Sequence, residues 1–333
     1  MSDRTRIEWA DATWNPVVGC TRVSEGCRNC YAERFAARFP ERFGGTSRMT
    51  PAGPRWTGQV VLRPEVLEQP LRWRKPRRIF VCSMSDLFHP GVPDEFIDRV
   101  FAVMALAERH TFLVLTKRPE RMLAYLTNLR RRAANTPALP IRSVPYEDGR
   151  ICEFLRNALG PGTPAIDRKW PLSNVWLGIS VENQKAAYER IPYLLQAPAA
   201  VRFLSCEPLL GPLDLRNPYY GLFPEQWSNA AAIDCHLAMG GSEPDDPPPD
   251  YPPYETPKIK WVIVGGESGP GARPMHPDWV RSIRDQCLEA GVPLFVKQMG
   301  SVWAKEHGAD ARGADWDYWP VDLRVREWPA AAR

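Results

Sequence analysis

No uninterrupted apolar run in this 333-residue chain approaches the ~20 residues that a membrane-spanning helix needs. The opening MSDRTRIEWADATWNP also lacks the apolar core of a secretory signal, so a cytoplasmic protein with no membrane association is expected. An excess of one charge is missing too: 43 basic against 39 acidic residues leave a formal charge of +4. That balance does not announce a nucleic-acid-binding protein. Two arginine-rich stretches, RWRKPRR and NLRRRAAN, are local candidates for such binding, beside their plainer reading as solvated faces. With 44% hydrophobic and 25% charged residues, global disorder is excluded.

What is missing around the cysteines matters more. There are eight cysteines, and three of them, Cys20, Cys27 and Cys30, fall within NPVVGCTRVSEGCRNCYAERFAARF. No fourth lies nearby. In a reducing compartment a close cluster points to metal or redox chemistry rather than disulfides. A structural zinc site wants four ligands, and the nearest combination that completes one is the distant Cys235 with His236. An iron–sulfur cube held by three cysteines leaves one iron open to a small molecule. Three unconnected thiols are the plain alternative. Cys82 and Cys206 lie within apolar runs and read as small buried hydrophobes. VGGESGPG lacks both the P-loop Lys-Ser/Thr and the GxGxxG spacing, so its glycines are a weak phosphate signal.

What is present is a strand–helix rhythm. RIFVCSMSD, TFLVLTKR, NVWLGISVEN, VRFLSCEP, KWVIVGGES and PLFVKQMG read as strands, with TWNPVVG and GQVVLRP as weaker ones. Helical periodicity fills the intervals, from YAERFAARF to HPDWVRSIRDQCLEAG. The alternation predicts an α/β fold: a partial or complete (β/α) TIM-type barrel of six to eight parallel strands over residues 1–300. Two Pro-rich insertions, near 132–172 and 212–258, interrupt it. The aromatic-rich tail, 301–333, is expected to pack as a cover.

Each apolar run ends in polar residues: Ser85 and Asp86, Lys117, Ser180 with Glu182 and Asn183, Glu207, Glu267, then Lys297. Caps explain some of these, but Lys and Glu are poor N-caps. In a parallel barrel the strand carboxyl ends converge on the face where active sites are built. Glu207, Glu267 and Lys297 are therefore candidate substrate-facing catalytic groups, with a charge-neutralising Glu–Lys pair as the structural alternative.

Three close cysteines between a first strand and a first helix, ahead of βα units, resemble the radical S-adenosylmethionine superfamily. CRNCYA is most similar to the cluster segment of spore photoproduct lyases, which also ends Cys-x-x-Cys-Tyr. The wider text, including SMSDLFH, LTKRPERM, GISVEN, FLSCEPLLGP and FVKQMG, is similar to a family found in phages and bacteria that carries no assigned activity. The superfamily resemblance implies a 4Fe-4S cluster on Cys20, Cys27 and Cys30, with S-adenosylmethionine on the open iron. Reductive cleavage would give a 5′-deoxyadenosyl radical that takes hydrogen from a substrate such as a nucleobase or nucleic acid. It further implies that Lys117 pairs with the cofactor carboxylate. Ser180 and Asn183 would serve its ribose or amino-acid part, and Ser85 and Asp86 its amino group. A reductase, flavodoxin or ferredoxin would supply the electron. The other expectation is a zinc–thiolate barrel acting as a hydrolase or nucleic-acid-binding module.

Overall fold

The computed structural model describes residues 5–135, 146–216 and 258–330. Its strands are β1 (Ala12–Trp14), β2 (Val17–Val18), β3 (Ser47–Thr50), β4 (Gly53–Trp56), β5 (Val61–Leu62), β6 (Arg78–Val81), β7 (Thr111–Thr116), β8 (Val175–Ser180), β9 (Val201–Cys206), β10 (Ile259–Gly265) and β11 (Leu294–Gln298). The helices are α1 (Tyr31–Arg38), α2 (Gln69–Arg72), α3 (Asp94–Leu106), α4 (Pro119–Ala133), α5 (Tyr146–Leu159), α6 (Gln184–Gln196), α7 (Pro277–Glu289) and α8 (Ser301–His307).

Seven strands form one parallel sheet in the order β1-β6-β7-β8-β9-β10-β11, curled into a half-barrel. The barrel is thus partial: β1 and β11 are edges and do not meet. Alternation along the strands sorts side chains by size. Phe80, Leu113, Trp176, Phe203, Trp261 and Phe295 point to one face with Trp9 of the N-terminal segment. Ile79, Val114, Leu177, Leu204, Val262 and Val296 join the helices on the other. Large rings fill the hollow of an open sheet, whereas branched aliphatics pack against helix ridges. Trp261 centres the aromatic side, with the rings of Trp9, Trp176, Phe203 and Phe295 all within 6.4 Å of its own.

The weaker strand readings resolve differently. TWNPVVG divides into β1 and β2, and β2 pairs antiparallel with β5 outside the main sheet. Helix α5 arises inside the stretch read as an insertion, and its Ile151, Cys152 and Leu155 are buried. The second Pro-rich stretch lies largely outside the described residues. The tail does cover an edge: the Val296 amide donates to Val325 and the Glu327 amide to Leu294, each at 2.9 Å. Arg326 also stands over the rings of Phe295, Trp316 and Trp319. This occupies hydrogen-bonding groups that an open sheet would otherwise present to other chains. Among the described residues no helix is long and apolar enough to cross a membrane.

Candidate functional site

The strand carboxyl ends surround a cavity of about 210 Å³. Its apolar side is made by Ile7, Trp9, Phe80 and Leu115, and its polar side includes Lys117, Arg118, Ser180, Glu207 and Lys297. Cys20, Cys27 and Cys30 all line it. The three cysteines, ten residues apart in sequence at the extremes, share one wall because the loop between β2 and α1 folds over the sheet.

That loop is held at both ends. Gly19 opens it with φ +90°, and a Cβ there would sit 2.3 Å from the Gln59 carbonyl oxygen, so any other residue is excluded by both backbone and space. Gly26 lies against Glu182, where an added Cβ would meet the carboxyl carbon at 2.9 Å. Glu182 is itself buried and paired with Arg190, which donates to Glu182 and to the Ser180 carbonyl at 2.7 Å. On the opposite side, Glu267 accepts from Asn29 Nδ2 at 2.9 Å and from the Arg273 side chain at 2.7 and 2.9 Å. Arg273 also donates to the Glu25 carbonyl, and Arg34 donates to Asn29 and Ser268 carbonyls. The cysteine loop is clamped between strand-end carboxylates.

Burial pushes the Glu267 carboxyl upward, but bonds from Arg273 and Asn29 outweigh it and hold its pKa below the ordinary value. Glu182 behaves alike, with Arg190 overcoming the burial cost. Both are therefore ionised structural groups. Burial, then Asp86, pushes the Cys20 thiol up to about 12; burial also raises Cys30. These thiols are free, and the upward shifts favour their protonated forms, so a metal bound there would have to displace protons.

Among the described residues no group of three or more His, Cys, Asp or Glu is placed to hold a metal ion. Cys235 and His236, the expected completion of a zinc site, lie outside the described residues. A fourth cysteine, Cys82, does line the cavity. It is only 2% exposed, and burial raises its thiol to about 12. Its φ of +60° is uncommon for a non-glycine residue. The thiol is packed into the wall, as the sequence suggested, although its place beside the cavity was not foreseen.

The predicted cofactor residues separate into three groups. Lys117 and Ser180 meet in the cavity, with Nζ donating to Oγ at 2.9 Å; no carboxylate pairs with Lys117 among the described residues. Ser85 and Asp86 also line the cavity but are occupied. Ser85 donates to the Val17 carbonyl, and Asp86 accepts from Thr116 and from the amides of Phe88 and Lys117. Asn183 does not line it: its side chain caps α6 by accepting from the Ala186 amide and also donates to Glu25.

Of the predicted substrate-facing groups, Lys297 donates to Glu207 at 2.6 Å, both at the cavity. Glu267 lines it too but is used by Arg273 and Asn29. Sequence reasoning did not name Arg118 as a site residue. Its side chain is 13% exposed and donates to the Thr21 carbonyl at 3.0 Å and hydroxyl at 2.7 Å. Thr21 Oγ1 also contacts His89 Nε2 at 3.0 Å. Since His89 Nδ1 accepts from the Gly91 amide, the proton sits on Nε2 and is donated to Thr21. Position was the available signal: Arg118 follows Lys117 at the same strand end.

The fold is thus an α/β half-barrel with a cavity at its strand carboxyl ends that is lined by thiols and by charged groups of both signs. The chain belongs to the family described as "Protein of unknown function (DUF5131)", whose model matches residues 4–321. No curated protein and no solved structure matches it.

Proposed function

We propose that this protein is a radical S-adenosylmethionine enzyme that holds a 4Fe-4S cluster on Cys20, Cys27 and Cys30. The observation that carries the reading is the pairing of three free thiols with an uncompensated lysine, Lys117, in a single cavity. A zinc ion needs its ligands to converge on one point, and these groups do not. A cluster spreads three thiolates over three irons, so converging sulfurs are not required.

When bound, the cluster supplies the electron that cleaves S-adenosylmethionine to methionine and a 5′-deoxyadenosyl radical. The protein binds, orients and shields. Lys117 neutralises the cofactor carboxylate, and its bond to Ser180 fixes the ammonium. Arg118, through Thr21, anchors the loop that begins at Cys20. Glu182 and Glu267 hold the remainder of that loop over the sheet. Ile7, Trp9, Phe80 and Leu115 keep water from the reactive side. Glu207 and Lys297, an acceptor and a donor side by side, orient polar groups of the substrate.

Anaerobic reconstitution with iron and sulfide, followed by S-adenosylmethionine and dithionite, tests the proposal. The expected result is a brown protein that releases 5′-deoxyadenosine. Stoichiometric zinc without iron, or a reduced cluster that leaves the cofactor intact, would refute it.

A further inference from the structure

We propose that the exposed face of α1 is a binding surface for single-stranded nucleic acid that leads into the cavity. Tyr31, Phe35 and Phe39 recur at four-residue spacing, which aligns them on one side of the helix and its continuation. They are 50%, 41% and 40% exposed, while Ala32, Glu33 and Ala36 face inward. Soluble surfaces seldom leave such a row of rings uncovered without a partner. Tyr31 lines the cavity as well, so the row starts at the mouth.

Charge identifies the partner. In and flanking α1 in the sequence, Arg28, Arg38, Arg42 and Arg48 are exposed, and none forms an ion pair among the described residues. The loop arginines Arg22 and Arg273, by contrast, are committed to Glu33 and Glu267. Glu41 is the exposed acid in this stretch, leaving a clear basic surplus. Arg38 and Arg42 lie 5.4 and 5.5 Å from the ring centres of Phe39 and Phe43, which places guanidinium groups beside aromatic faces. The whole-chain charge understates this basicity. Residues 217–257 hold seven acidic residues and no lysine or arginine, so the rest of the chain sets 43 basic against 32 acidic side chains.

Phosphates answer the arginines, and unstacked bases answer the rings. An acidic protein would satisfy only the first, and a duplex hides its base faces. A cavity of about 210 Å³ admits a single extruded group rather than a helix. The inference rests on the proposed activity only for the claim that the bound strand reaches a reactive centre; the binding itself does not depend on it.

Fluorescence anisotropy with labelled oligo-dT and oligo-U, on the full chain as isolated and after anaerobic reconstitution, measures this binding without cofactor cleavage. Binding that weakens with salt is expected. Replacing both rings (Phe35→Ala with Phe39→Ala) should raise Kd at least about tenfold, while Phe35→Tyr with Phe39→Tyr retains affinity and controls for folding. Charge reversal (Arg38→Glu with Arg42→Glu) should also flatten the salt slope by about 1 to 2. Absence of binding, equal binding of polyglutamate or duplex, or affinity unchanged in the alanine variant would overturn the proposal. Loss of 5′-deoxyadenosine formation with binding intact would count against the enzymatic reading alone.

Discussion

Glu207 and Glu267 follow the adjacent strands β9 and β10 by one and two residues, yet they do different work. Glu267 is saturated by Arg273 and Asn29 and closes the cysteine loop onto the sheet. Glu207 touches Lys297 in the cavity and clamps nothing. A carboxylate at a strand end is therefore a candidate for chemistry only after its hydrogen bonds are counted. Burial separates the cysteines in a similar way: Cys82 is packed into the wall, whereas Cys20, Cys27 and Cys30 remain partly exposed along it.

The cysteine contrast carries the largest effect. Changing Cys20, Cys27 or Cys30 to alanine should abolish iron retention after reconstitution, while Cys82→Ala should keep it; iron analysis decides. Loss of iron in Cys82→Ala would mean that a fourth thiolate closes the site.

Lys117 against Asp86 sharpens the division between presented and occupied polar groups. Lys117→Met should weaken S-adenosylmethionine binding roughly 10- to 100-fold, the worth of a charge-assisted hydrogen bond, with iron content unchanged. Asp86→Asn should instead lower thermal stability, because an NH2 donor then faces one of the two backbone amides that bond the carboxylate. Calorimetric titration and thermal melts separate the two.

The two glutamates are next. Glu267→Gln should destabilise the protein by about 1–3 kcal/mol and speed iron loss. Glu207→Gln should cost less, because Glu207 has one side-chain partner, Lys297, which Gln can still accept from, and should act on substrate turnover instead. Equal destabilisation by both changes would erase the comparison.

The smallest expected effect is in acid. The folded Glu267 pKa is depressed, so its stabilisation is complete above the ordinary carboxylate value. It is lost as pH falls through the lower folded value. Tryptophan fluorescence during acid titration should show a shallower dependence on pH in Glu267→Gln, with the remaining slope coming from groups such as Glu182.

Much of the sheet was legible because strands buried on both faces read as unbroken apolar runs; β8 is buried at all six positions. The hairpin of β3 and β4 was not, since SRMT and GPRW neither alternate nor bury an apolar face. Helix α5 hid among prolines despite its buried Ile151 and Leu155. At the site, the three cysteines share one cavity with Ser85, Asp86, Lys117, Ser180, Glu207, Glu267 and Lys297, whereas Asn183 lies outside it. The assignment of Glu267 could not be read locally: Asn29, its partner, is 238 residues away. Nor did the arginine runs show where free positive charge lies. Arg78 and Arg132 are spent on Asp11 and Asp98, whereas the exposed Arg38 and Arg42, outside both runs, form no ion pair among the described residues.

The central claim is an iron left open by the protein inside a cavity that also presents Lys117. Electron paramagnetic resonance of the dithionite-reduced, reconstituted protein tests it most directly. The account predicts that S-adenosylmethionine shifts the cluster signal, and that Lys117→Met requires more cofactor for the same shift. A cluster signal untouched by saturating cofactor would contradict it.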